Sequence, residues 1–334
     1  MSTANVDGWT VGRRRVAVTG ASGFVGSKAA DWLEERGYEV HRFGRRAADR
    51  IPQPARASYR SWDMEQGVLA DPPEVDAVVH CAGRADDWGR FEEFRRANVD
   101  GTRAALETWP GARFVHVSSA SVYDPNADHT LVTEDQADPA DVVDCERVRW
   151  LNAYGRSKRM AENAVMADAA ERSIILRPHA VYGPGDTQLL PRLVDRIRFG
   201  RLVVAGDDSV RVSLTHVDNF SYAIGLAIES DVRGAFNISD PTAPTLDECL
   251  RTVLRTIGRP ERILWLPAGP VRVLALLMEA ACGFGRGPQP PVTRFQISHL
   301  TRDFVYDLTK AREQLGYAPA IDLPAGLETV DLDM

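Results

Sequence analysis

At 334 residues with 44% apolar side chains, the chain can bury a substantial core as one large α/β domain or two smaller ones, without covalent staples. Its 40 Lys and Arg against 47 Asp and Glu leave a formal net charge of −7, which excludes the basic surplus that a nucleic-acid partner requires. The polar stretch 1–12 lacks the apolar segment of a secretory signal, so a frayed tail and a cytoplasmic location are expected. Cys81, Cys145, Cys249 and Cys282 are scattered without Cys-x-x-Cys spacing, so neither a metal site nor a disulfide framework is expected.

In chain order, the Arg13-Arg14-Arg15 run reads as the solvated edge of a first strand, Arg15 to Thr19. Gly20-Ala21-Ser22-Gly23-Phe24-Val25-Gly26 follows, and then a helical segment, Ser27 to Arg36. Strand, glycine turn and helix in this order form a dinucleotide cradle. Gly20 permits the tight turn, Gly23 lets the backbone approach a pyrophosphate, and Gly26 lets the helix pack closely on the strand. A second strand, Glu39 to Phe43, ends in Gly44, Arg45 and Arg46. An acidic residue there would bind the ribose 2′-hydroxyl of NAD, whereas two guanidiniums suit a 2′-phosphate, so NADP(H) is expected over NAD(H).

A third strand precedes Asp63 and Met64, with Asp63 placed to accept from the adenine amine. Val75 to His80 reads as a buried strand, followed by the small residues Cys81, Ala82 and Gly83 where a backbone runs close to the cofactor. Asn98-Val99-Asp100-Gly101-Thr102 opens or interrupts the next helix, and Phe114 to Val117 carries Ser118 and Ser119 at its end. Tyr154 and Lys158, four positions apart, share a helical face. A nearby ammonium should draw the phenol down from its ordinary value of about 10, as a general acid or base at neutral pH requires. The alternation of strands and helices predicts an α/β fold, a Rossmann-like doubly wound parallel sheet over 12–183, to which about 212–240 partly return. A smaller α+β substrate-binding region is expected over 184–334.

Five motifs occur in one order: Thr19-Gly20-x-x-Gly23-Phe24-x-Gly26; Asn98-Val99-x-Gly101-Thr102; Ser118-Ser119-Ala120-Ser121-Val122-Tyr123; Tyr154-x-x-x-Lys158; and Arg177-Pro178-x-x-Val181-Tyr182-Gly183-Pro184-Gly185-Asp186. Together they resemble the extended short-chain dehydrogenases/reductases over nearly the whole length. The resemblance implies Ser119 as the hydroxyl that holds the substrate oxygen, Tyr154 as proton donor or acceptor, and Lys158 on the nicotinamide ribose. Asn98 would support a proton-relay water. Ser118 and Ser121 compete for the serine role, and counting back from Val122-Tyr123 favours Ser119. Cofactor contacts are implied at Gly20, Ser22, Gly23, Phe24, Val25, Arg45, Arg46, Asp63, Met64, Cys81, Ala82, Gly83, Asn98, Ser118, Tyr154, Lys158, Pro178 and Val181. Substrate contacts are expected at Trp88, Ser119, Ala120, Ser121, His179 and Ala180; His179 departs from the family pattern, standing where many relatives have a small or neutral residue, and reads as a neutral imidazole that hydrogen-bonds substrate or as a structural residue. Helices around Asn98 to Thr108 and Tyr154 to Ala170 pair into homodimers in similar proteins; the oligomeric state itself stays open.

Substrate class is narrowed by what surrounds these motifs. Sugar-nucleotide dehydratases usually carry Asp-Glu after the hydroxyl residue, where this chain has Ala120-Ser121, and the epimerases often carry an asparagine where it has Ala180. Asp87-Trp88-Gly89, the run 183–191, His216-Val217-Asp218-Asn219, Pro290 to Arg294, Tyr306-Asp307 and Lys310-Ala311…Leu315-Gly316-Tyr317 look like the 3β-hydroxysteroid dehydrogenase-type branch. That branch implies a largely apolar ketone or secondary alcohol of sterol, polyketide or natural-product kind. The alternatives are an epimerase or dehydratase that holds its nicotinamide tightly, and a non-catalytic NADP(H) sensor.

Two further segments carry expectations. Thirty-five positions separate Ser119 from Tyr154, and 124–149 reads as a charged loop insertion able to cover the site, with Arg147 and Arg149 facing a polar substrate or solvent. Val271 to Cys282 is too short to span a bilayer; it reads as an amphipathic or core helix, as a pocket wall or lid, or as a peripheral membrane contact through Leu274, Leu277 and Met278.

Overall fold

The structure, a computed structural model, describes residues 14–127, 129–138, 145, 148–187, 189–194, 196–198, 200–259 and 262–330; the tail 1–12, Arg13, Arg147 and Gln188 lie outside them. Val16, Ala17 and Val18 of β1 (Arg15–Thr19) are buried on both faces, which is what a central strand of a parallel sheet demands. β1 is followed by α1 (Phe24–Glu35), β2 (Glu39–Gly44), β3 (Tyr59–Ser61), β4 (Ala77–His80) and α2 (Phe91–Arg95). A π-helical turn over Arg96–Asp100 leads into α3 (Gly101–Thr108), so the Asn98 motif does interrupt a helix. β5 (Arg113–Val117), α4 (Ala153–Ala169) and β6 (Ser173–Pro178) complete this half.

Next come β7 (Val181–Tyr182), α5 (Leu189–Val194), β8 (Ile197–Arg198), β9 (Arg201–Ala205), β10 (Thr215–His216), α6 (Val217–Glu229) and β11 (Gly234–Ile238). The C-terminal part holds α7 (Leu246–Thr256), β12 (Arg262–Leu266), α8 (Ala268–Ala281), α9 (Arg294–His299), α10 (Thr309–Leu315) and α11 (Leu323–Glu328). The main sheet runs β11-β6-β5-β4-β1-β2-β3, all parallel. Its order reverses at β1, between β2 and β4, and ligands of such sheets bind beyond the strand ends at that switch. Buried side chains of α1 and α6 form one core layer with this sheet, while Trp62, Trp109, Phe43 and the α3 and α4 faces form the other. β12 and β9 pair in parallel, β8 and β9 antiparallel, in a small sheet under α7.

Two segments differ from what their composition suggests. α8 is mostly exposed: Val273 and Leu277 are 59% and 62% accessible, and only Ala275 and Glu279 are buried. It is therefore not a core helix, and it does not line the cleft described below; its buried Glu279 instead accepts from Arg294 at 2.6 Å and so positions α9. The described part of 124–149 is likewise no lid. Val132 and Ala137 pack with Tyr123 and Tyr306, Glu134 accepts from the Asn237 backbone at 2.7 Å, and Arg149 is exposed away from the cleft. Among the described residues no helix is long and apolar enough to cross a membrane, no cluster of His, Cys, Asp and Glu has the geometry of a metal site, and the cysteines are free thiols.

Candidate active site

A cleft of about 1540 Å³ opens at the C-terminal ends of β1, β2, β4, β5 and β6. Its floor is the glycine loop. Gly20 has φ +70°, and a Cβ there would stand 2.7 Å from the Ala82 nitrogen; one on Gly26 would meet the Gly20 carbonyl oxygen at 2.4 Å. Both positions must be glycine for the turn, α1 and the end of β4 to come together. Gly23 caps α1 without a side-chain partner, so the first-turn N–H groups at the cleft edge remain available to an anion. That is the arrangement a pyrophosphate needs, and the residues present fit a dinucleotide.

At the adenosine end, Gly44, Arg45, Arg46, Asp63, Met64, Glu65 and Arg96 border the cleft. A Cβ at Gly44 would lie 2.8 Å from both the Ser22 and Tyr59 hydroxyl oxygens, so the acidic side chain of NAD-preferring relatives has no room here without rearrangement. The Arg45 guanidinium is mostly exposed and stands 3.6 Å from Glu65, an exposed pairing that contributes little and leaves the arginine available. Asp63 accepts from the Glu65 N–H at 3.2 Å and from Gln66, which commits part of its acceptor capacity to its own turn. Glu65 and Arg96 went unnoticed in sequence because nothing local marks them as neighbours of Arg45.

The reaction end is built by β5 and α4. β5 delivers Ser118 and Ser119, and α4 starts at Asn152, whose side chain accepts from the Gly155 N–H at 3.0 Å. A Cβ on Gly155 would sit 2.5 Å from the Ser121 carbonyl oxygen, so α4 presses directly on the serine turn and brings Tyr154 to Ser119. Ser119 is hydrogen-bonded to the Tyr154 phenol, which lowers its pKa, but burial outweighs this and holds the phenol above its ordinary value. This reverses the expectation of a lysine-depressed phenol. Lys158 donates instead to the Val117 carbonyl at 2.8 Å, and burial pushes its ammonium down to about 8.

That depression has a thermodynamic consequence. The fold disfavours the charged amine, so the penalty is complete below about pH 8 and fades as pH rises toward the ordinary value of 10.5. Stability should climb over that window by up to about 3 kcal/mol from this group, and Lys158→Met should flatten the climb in urea titrations repeated across pH. An unchanged slope in the variant would show that Lys158 is solvated.

Ser118 does not face the substrate. Its hydroxyl donates to Glu162 at 2.5 Å, and Glu162 receives Arg177 at 2.9 and 2.7 Å. Tyr154, Lys158 and Glu162 are spaced at i, i+4 and i+8 of α4, a stripe visible in the sequence once the helix is extended by another turn. The Asn98 side chain accepts from the Arg84 N–H at 2.6 Å and donates to the Ser157 hydroxyl at 2.8 Å, tying the loop after β4 to α4. It does not border the cleft, and neither do Trp88 and Ala120. The Trp88 indole donates to the Gly287 carbonyl at 2.9 Å, and Ala120 is buried beside Val122 and Tyr306. The remaining residues singled out in the sequence do border it, including Ser22, Phe24, Val25, Cys81, Gly83, Ser121, Pro178, His179, Ala180 and Val181. Ala180 takes φ +44°, a strained conformation for a residue with a Cβ, at the edge of the reaction centre.

Beyond this centre the cleft is aliphatic. Leu190, Leu193, Val212, Leu214, Leu246, Leu250, Val253 and Leu323 line it from two adjoining core clusters. Arg192 and Arg196 stand at the same end, and Arg196 donates to Gln296 at 3.2 Å. Phe295, Gln296, His299 and Leu300, on and just after α9, also line the cleft, whereas α8, for which a pocket wall or lid is one of the open readings in sequence, does not.

Residues 16–239 match the NAD dependent epimerase/dehydratase family. The chain belongs to that family. It is an NAD(P)-dependent oxidoreductase of the extended short-chain dehydrogenase/reductase type, on the branch with the 3β-hydroxysteroid dehydrogenases. It is 30% identical to the 2-alkyl-3-oxoalkanoate reductase of Stenotrophomonas maltophilia, over 94% of this chain and 97% of that one. It is 28% identical to the 3-beta-hydroxysteroid dehydrogenase of Mycolicibacterium neoaurum, over 91% and 87%. The structure of MoeE5 in complex with UDP-glucuronic acid and NAD superposes with a TM-score of 0.65 at 24% identity, covering 95% of this chain and 97% of that one, which shows the shared fold.

Proposed function

We propose that the protein is an NADPH-dependent ketoreductase, working also as the reverse alcohol dehydrogenase, on a largely apolar ketone. The observation that carries this reading is the placement of Ser119 and the protonated Tyr154 phenol at the mouth of an aliphatic chamber, with no carboxylate following Ser119. The relatives named as reductases or dehydrogenases of alkyl-bearing oxo acids and steroids support the same substrate class.

NADPH, when bound, supplies hydride to the carbonyl carbon. The protein's own part is to bind, orient and protonate. Ser119 donates to the substrate oxygen as negative charge builds there, and Tyr154 gives that oxygen its proton. Because burial keeps the phenol protonated, it is ready to act as the acid in the reductive direction. Lys158 and the first turn of α1 hold the ribose and phosphates, and Arg45 with Arg46 holds the 2′-phosphate. An elimination would need a further acid and base after Ser119, where Ala120 and Ser121 supply none, and Ala180 stands where sugar-nucleotide epimerases often carry an asparagine that touches the diphosphate.

Purified protein given a panel of alkyl ketones should consume NADPH, seen as net loss of reduced-nicotinamide absorbance. A sugar-nucleotide epimerase or dehydratase would show turnover with no net loss. Arg45→Asp should weaken NADPH by roughly 10- to 100-fold in KM while leaving NADH little changed, since a charge-assisted contact to an anion contributes about 1.5–3 kcal/mol. Equal use of both cofactors by the parent protein would refute the 2′-phosphate assignment.

A further inference from the structure

The cleft has a second polar feature, separate from Ser119 and Tyr154. His179 directly follows β6, and its backbone is clamped by the Thr215 hydroxyl, which accepts from the His179 N–H at 3.2 Å and donates to its carbonyl at 2.8 Å. His299 ends α9, which is fixed by the Arg294–Glu279 pair and by Gln296 donating to Asp87 at 2.6 Å. The two imidazoles lie 9° from parallel with centroids 5.5 Å apart, and His299 stacks on Phe304 at 4.3 Å. They are 120 positions apart in sequence, and only the fold brings them together.

The hydrogen bonds determine what these rings offer. His179 Nδ1 is 2.6 Å from the Ser213 carbonyl oxygen, and His299 Nδ1 is 2.9 Å from that of Phe295. A carbonyl can only accept, so each Nδ1 carries the proton. Burial holds both rings neutral, depressing His179 to about 3 and His299 to about 4, and each Nε2 is left as a bare lone pair. Both rings border the cleft, and among the described residues neither Nε2 has a hydrogen-bond partner.

We propose that His179 and His299 form a paired acceptor subsite for a neutral hydrogen-bond donor on the substrate, a hydroxyl or an amide N–H additional to the reacting carbonyl. A neutral imidazole lone pair at the cleft wall accepts from such a donor and repels a carboxylate. Calling the donor part of a substrate rests on the ketoreductase reading; the tautomers and the ligand preference do not.

The test is NMR of the full chain with isotope-labelled histidine ring nitrogens, the signals assigned from His179→Phe and His299→Phe, which retain an aromatic ring in the stack. Both rings should show the Nδ1–H tautomer, and octane-1,2-diol should move their Nε2 signals while octanoate leaves them in place. An Nε2–H tautomer, silence toward the diol, or an equal response to octanoate overturns the subsite. In turnover, His299→Phe should lower kcat/KM for 1-hydroxydecan-2-one about three- to tenfold more than for decan-2-one. Equal losses on both ketones mean a structural role and overturn the proposal. Failure of the parent protein to reduce either ketone counts against the ketoreductase reading, while the NMR result still decides the subsite.

Discussion

Tyr154→Phe should lower the rate of ketone reduction by about 10²- to 10⁴-fold while leaving cofactor binding intact, because the variant loses only the proton donor. Phenylalanine keeps the aromatic ring at the cleft, so the loss should fall on kcat. Cofactor affinity, read by nicotinamide fluorescence, should stay within about threefold of the parent, since Lys158, Gly20 and Gly23 are untouched. Unchanged turnover would remove Tyr154 from the chemistry. Weakened cofactor binding with unchanged kcat would make it a positioning residue.

The second large effect lies one helical turn beyond Lys158. Glu162 is fully buried and joins Ser118 of the catalytic turn to Arg177 of β6, which also donates to the Tyr123 phenol at 3.0 Å and to the Glu134 carbonyl at 3.3 Å. Glu162→Ala would strand a buried guanidinium, and the loss should be about 3–5 kcal/mol in urea unfolding, since removing one partner of a buried pair leaves its charge uncompensated. Glu162→Gln retains the hydrogen-bond geometry toward Ser118 and should lose less. A loss below about 1 kcal/mol from the alanine variant would show that water reaches Arg177.

The sequence made some of this legible and hid the rest for physical reasons. The glycine loop, Ser119 and the Tyr154–Lys158 pair are local patterns: each is a short spacing on a strand end or helix turn, and the fold only has to bring three such pieces to one edge of a sheet. The His179–His299 stack leaves no local trace, because it depends on α9 folding back against the end of β6. Glu162 was readable as an extension of the α4 stripe, yet its partner Arg177 sits on a different element. The stretch 271–282 misled in another way. Its composition is that of a core, but composition does not say which helix a cleft will use, and the wall fell to Phe295, Gln296 and His299 of the shorter α9. The expected effect of Lys158 on Tyr154 failed because spacing on a helix face does not determine where a flexible ammonium points; the Val117 carbonyl holds it.

Net hydride transfer separates carbonyl reduction from epimerisation and dehydration. The most direct measurement supplies NADPH deuterated at the transferring position together with a long-chain ketone, and analyses the product by mass spectrometry and NMR. Ketone reduction by net hydride transfer gives an alcohol with one deuterium on its carbinol carbon for each NADPH consumed. An isomerised or dehydrated product, formed with no deuterium gained and no NADPH lost, would contradict it.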